Sequence, residues 1–165
     1  MKLEPLKPFI VGIDPGVSTG VAFWRRRDEK ITFSGTKDFY SVQLFIVRSF
    51  PDNRPKPGTG GINYKEMVKV FVETPRNMLY KRNESTIRNE ELRIMFHAGG
   101  NVREAKLLVM CLTARGYDVV SVPPVHAKKW DQKKFTLFTG SNKRTSEHER
   151  DAVRLAVHHA NWRPK

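Results

Sequence analysis

Phe9-Ile10-Val11-Gly12-Ile13-Asp14-Pro15-Gly16, running on into Val17-Ser18-Thr19-Gly20-Val21-Ala22-Phe23-Trp24, is the stretch whose reading decides the fold. The unbroken apolar run from Phe9 to Ile13 suits a buried strand, and Asp14-Pro15-Gly16 closes it with a turn. Val17 to Trp24 follows as a second strand, and Arg25-Arg26-Arg27-Asp28-Glu29-Lys30 reverses the chain into a third around Ile31 to Thr36. The expectation is a three-stranded meander with a carboxylate at the end of its first strand.

Further along, Ser41 is placed to cap a helix that carries Val42, Phe45, Ile46 and Phe50 on one face and stops at Pro51. Asp52 to Asn63 is rich in Pro and Gly, which predicts an exposed, flexible loop. Val68, Val70 and Val72 alternate with Lys69 and Phe71 in a fourth strand that ends, like the first, in a carboxylate, Glu73. Gly99-Gly100-Asn101 is expected to separate two helical stretches, the second running from about Val102 to Arg115 and ended by Gly116. Asp118 to Val122 reads as a fifth strand, His126 to Arg144 as a basic segment, and Ser146 opens a last helix with Ala152, Leu155, Ala156 and His159 at helical spacing. A meander followed by alternating helices and strands is an α/β plan, and 165 residues of which 39% are hydrophobic suit one domain spanning residues 1–165.

Lys and Arg number 30 against 17 Asp and Glu, a formal net charge of +13, which calls for a polyanionic partner. Cys111 is the only cysteine, so neither a disulfide framework nor a cysteine-ligated zinc site is expected. Met1 to Pro8 carries charges and two prolines rather than a secretory signal, and no window approaches the ~18 apolar residues of a membrane span. These features predict a protein of a reducing cytoplasm with no membrane partner.

If the strands ending in Asp14 and Glu73 lie side by side, the two carboxylates emerge about 5 Å apart. Their repulsion must raise one pKa or recruit a cation, and a hard divalent ion with oxygen ligands satisfies both. The last helix opens Ser146-Glu147-His148-Glu149-Arg150-Asp151, where His148 and Asp151, three apart, share a face that can complete the cluster; Glu147 is a competing member. Taken singly, each acid also reads as a turn residue, a solvated strand end or a helix-dipole partner. Taken together, three elements supply ligands for two metal ions roughly 4 Å apart, the arrangement of phosphodiester hydrolysis.

Ile13-Asp14-Pro15-Gly16 with Thr19-Gly20, then Val72-Glu73, then His148 through Asp151-Ala152, resembles the RuvC-type Holliday junction resolvases of the ribonuclease H-like superfamily, in order and spacing along nearly the whole chain. The resemblance implies a ribonuclease H-like fold: a five-stranded mixed sheet, antiparallel meander plus parallel strands, flanked by helices. It implies that Asp14, Glu73, His148 and Asp151 form one catalytic, metal-binding cluster for Mg²⁺ or Mn²⁺. It also implies a homodimer making paired nicks across a four-way DNA junction, in the cytoplasm of a bacterium or a phage-infected cell, with an organelle as the other setting. Many relatives carry Asp where this chain has His148, so this residue is expected either to tune metal preference or to handle protons.

For DNA contact the candidates are Lys128, Lys129, Lys133, Lys134, Lys143 and Arg144 beside the last helix. A second group is Arg76, Tyr80, Lys81 and Arg82 in the basic loop after Glu73, with Tyr80, or Leu79 in second place, as a wedge at the junction centre. The dimer surface is expected between Ile87 and Arg115. Gly12 to Gly20 also resembles the phosphate turn of actin-like ATPases, but the chain has neither the length nor the second Asp-x-Gly turn those enzymes need, so no nucleotide cofactor is expected. A ribonuclease acting on RNA or hybrids and a non-catalytic nucleic-acid-binding module remain the alternatives.

Overall fold

In a computed structural model of the chain, residues 6–52, 63–74, 89–124 and 129–160 are described, with 89–99 described by backbone alone. Five strands, β1 (Phe9–Asp14), β2 (Thr19–Arg25), β3 (Lys30–Lys37), β4 (Val68–Glu73) and β5 (Asp118–Val122), form one sheet in the order β3-β2-β1-β4-β5. On one side of β1 the pairings with β2, and of β2 with β3, are antiparallel; on the other, β1 with β4 and β4 with β5 are parallel. Four helices flank the sheet: α1 (Phe39–Ser49), α2 (Asn89–Ala114), α3 (Gln132–Thr139) and α4 (Glu147–His159). This is the five-stranded mixed sheet, antiparallel meander plus parallel strands, flanked by helices, that the sequence led us to expect.

Strand parity sorts the side chains to two faces. Val11 and Ile13 of β1, Val21 and Phe23 of β2, and Val68, Val70 and Val72 of β4 pack on one face with Val42 and Ile46 of α1 and Leu108 and Leu112 of α2. On the other face Ile10, Ala22, Trp24 and Phe71 meet Ala152, Leu155 and Ala156 of α4 and Phe135 of α3. The same parity turns Gly12, Asp14, Gly20 and Glu73 toward α4. A Cβ at Gly12 would stand 2.4 Å from the Ala152 carbonyl oxygen, so the helix backbone rests on the strand backbone there.

Two local expectations are corrected, and one element is added. The cap of α1 is Asp38, not Ser41: its carboxylate accepts the Tyr40 and Ser41 amides and the Ser41 hydroxyl, so the helix starts earlier. Residues 99–101 do not interrupt α2, whose backbone runs on as one helix from Asn89 to Ala114; internal glycines cost about 1 kcal/mol each against Ala, which the packing of Ala105, Leu108 and Leu112 outweighs. The basic segment contains α3, capped by Asp131 and anchored by the buried Phe135. Gly116 does end α2, with φ +79 and its amide donating to the Thr113 carbonyl. Most of the predicted Pro- and Gly-rich loop, residues 53–62, lies outside the described residues. Among those described, no helix is long and apolar enough to cross a membrane.

Candidate active site

The parallel register of β1 with β4 sets Ile13 beside Val72, so the next residue of each strand, Asp14 and Glu73, lies at the same end of adjacent strands. The first turn of α4 comes down over that end. Ser146 caps it, its hydroxyl accepting the Glu149 amide at 3.0 Å. Gly20, opposite Asp14 in the antiparallel register, is what lets this turn approach: a Cβ there would lie 1.9 Å from the His148 carbonyl oxygen.

His148 Nδ1 lies 2.7 Å from Asp14 Oδ2. Its ring sits against Gly16, where a Cβ would come within 2.6 Å of Cε1, and the turn itself is tied by the buried Thr19 hydroxyl donating to the Gly16 carbonyl at 3.2 Å. The hydrogen bond to Asp14 raises the His148 pKa above the ordinary imidazole value, against the opposing effect of burial. Asp151 is buried, and desolvation, reinforced by the Asp14 charge, raises its pKa while Arg154 pulls it down. Arg154 Nη2 lies 3.2 Å from Asp151 Oδ1 and 4.0 Å from Glu73 Oε2. On the solvent side, Lys129 Nζ is 3.9 Å from Asp151 Oδ2 and pairs with Glu147, which is thereby directed to the surface rather than into the cluster.

Asp14, Glu73, His148 and Asp151 are thus brought to one end of the sheet. Among the described residues, however, no three His, Cys, Asp or Glu side chains are gathered into a ready-made metal cage. Asp14 is turned to an imidazole and Asp151 to a guanidinium. The donor set itself, three carboxylates on adjoining elements, has the oxygen chemistry that a hard divalent ion takes.

The basic candidates are dispersed. Lys143 Nζ donates to the Ser34 carbonyl at 3.0 Å and pairs with Glu149 at 2.8 Å, while the Ser34 hydroxyl donates to the same Glu149 carboxylate at 2.6 Å. Lys143 therefore clamps the segment before α4 to the edge strand β3. Lys134 Nζ lies 5.2 Å from the centre of the Trp130 ring, and Lys133 and Arg144 are exposed. Arg76, Leu79, Tyr80, Lys81, Arg82 and Lys128 lie outside the described residues, as does part of the stretch from Ile87 to Arg115 proposed for a dimer surface.

Sequence reasoning missed two residues of this region, Arg154 and Glu149. For Arg154 the signal was its place three residues after Asp151 inside the apolar stripe of α4. For Glu149 it was the position three after a Ser cap, where an acidic residue is common for reasons of capping alone.

No family model matches the chain, and no curated protein sequence does. Among solved structures the chain is similar to the RuvC of T. thermophilus in complex with a Holliday junction substrate, with 16% sequence identity, 92% of each chain covered and a TM-score of 0.45.

Proposed function

We propose that this protein is a divalent-metal-dependent endonuclease of branched DNA, acting as a homodimer to place paired nicks in a four-way junction. The observation that carries the reading is the convergence of Asp14, Glu73, His148 and Asp151, from three separate elements, at one end of the sheet in a chain of net charge +13. Gathering several carboxylates in a partly buried setting costs stability, which makes such a cluster a candidate functional site.

In this reading Asp14, Glu73 and Asp151 hold the ion, Mg²⁺ or Mn²⁺. Once bound, it supplies Lewis acidity toward a phosphate oxygen and lowers the pKa of water at neutral pH. His148 has a different task. The Asp14 carboxylate, 2.7 Å from Nδ1, favours the protonated ring, which in that state donates from both nitrogens. His148 serves as a cation and proton source next to the scissile phosphate. Lys129, 3.9 Å from Asp151 Oδ2 and largely exposed, adds a second positive charge at the mouth of the site. Lys143 contributes indirectly, by holding α4 to β3 through Glu149.

The test is cleavage of a labelled immobile four-way DNA junction, a matched duplex and an RNA:DNA hybrid, each with Mg²⁺ or Mn²⁺, by wild type and Asp14→Asn. Symmetric nicks in the junction, reduced on the order of 10²-fold or more in the variant, are the expected result. Cutting of the hybrid alone would make the protein a ribonuclease. Junction binding with no metal-dependent cutting would leave a binding module.

A further inference from the structure

Arg154 is a buried cation, 6% exposed, set among the carboxylates of the site rather than at their rim. Its neighbours Ala152, Val153, Leu155 and Ala156 are all buried against the sheet, so α4 cannot swing the guanidinium out to water. Arginine remains charged at any pH the fold survives. Here it addresses Asp151 at 3.2 Å and Glu73 at 4.0 Å, one residue on its own helix and one at the end of β4.

Charge bookkeeping then limits what else the site can hold. Asp14, Glu73 and Asp151, when ionised, bring three negative charges, and Arg154 returns one positive charge. One divalent ion brings these four groups to neutrality, whereas two would leave them with two positive charges in a largely buried setting, which is costly. We propose that Arg154 is the resident cation of this site, serving Glu73 and Asp151 in the capacity of the second ion of a two-ion centre, so that each chain takes up one divalent ion rather than two. This rests on the metal-dependent reading above and replaces the two-ion expectation drawn from the sequence. Arg154 is in these terms a positioning residue: it sets a fixed positive charge against Asp151 and near Glu73 whether or not an ion is present.

The experiment titrates the full-length, metal-free protein with Mn²⁺, reading free Mn²⁺ by electron paramagnetic resonance, for wild type and Arg154→Met, with thermal melting of each in a chelator. One Mn²⁺ per chain is expected in wild type and two in Arg154→Met, whose melting temperature falls in chelator and recovers with Mn²⁺. Two ions in wild type, or one in both proteins, would overturn the proposal. A fall in melting temperature that Mn²⁺ does not reverse, with the count unchanged, would reduce Arg154 to a packing residue. If Arg154→Met does not melt cooperatively, Arg154→Gln replaces it with the same expected count. A wild type that takes up no Mn²⁺ and cuts no substrate would instead bring down the metal-dependent reading, and this inference with it.

Discussion

The two faces of the sheet both bury apolar side chains, but they differ in how the helices meet the strands. Toward α1 and α2 the strands present Val, Ile and Phe, filled in by Leu108, Leu112 and a cluster of rings in which Phe23 stacks on Phe45 at 5.2 Å. Toward α4 they present Gly12, Gly20 and Ala22 to Ala152 and Ala156, so contact is between backbones, and the same helix buries Glu149, Asp151 and Arg154. The first face gains stability from apolar area. The second also gains placement: a helix seated on strand backbone fixes its first turn to within a small tolerance, and His148 and Asp151 ride on that turn. The candidate site is therefore positioned by one side of the same five strands, while apolar burial stabilises both.

The sharpest way to break that division is Gly20→Val. Its Cβ would lie 1.9 Å from the His148 carbonyl oxygen and 2.4 Å from the carbonyl carbon, both backbone atoms that no rotamer change can move. Urea unfolding should show a loss of about 4 kcal/mol or more, and junction cleavage should vanish even in the molecules that remain folded. Leu108→Ala, on the opposite face, removes a fully buried side chain and should cost about 3 kcal/mol in the same measurement. Its cleavage rate per folded molecule should stay at the wild-type level. Equal damage to cleavage from both substitutions would mean that the faces do not divide the work.

What the sequence disclosed follows the same line. β1, β4 and β5 were legible because each is an apolar run closed by a turn or a charge, and Asp14 and Glu73 stood out as carboxylates in that terminal place. α4 was legible from Ser146 and the spacing of Ala152, Leu155 and Ala156. Less legible was anything decided by contact across the sheet. Nothing local to Lys143 reveals that it reaches Ser34, more than a hundred positions away, and nothing local to Arg154 reveals that Glu73 stands opposite. α3 was hidden because Lys133 and Lys134 made its stretch read as a charged surface, although Phe135 and Phe138 mark its inner side. Residues 99–101 misled in the other direction, since the local signal for a break was outweighed by packing further along α2.

The smallest expected effect concerns the far end of α4, where the same face handles a charge by excluding it. His159 stacks on Phe71 with ring centres 4.0 Å apart and planes 5° from parallel. The C-terminal end of a helix favours a protonated histidine, yet burial, with the charge of His158 adding to it, pushes the His159 pKa down to about 4. The desolvation of the ring outweighs the dipole. Between about pH 6.5, where an unfolded histidine titrates, and pH 4, the unfolded chain binds a proton that the folded chain refuses, so stability falls as the pH falls through this window. His159→Phe keeps the stack and removes the titration. With allowance for the half-buried setting, urea unfolding at pH 5 should find the variant on the order of 1 kcal/mol less sensitive to acid than wild type, with no difference at pH 8. His148 has the opposite sign: its raised pKa gives stability that is complete below about pH 6.5 and is lost as pH rises through the folded value. An acid slope that survives in His159→Phe would have to come from another group, and burial of His159 would then not be what excludes the charge.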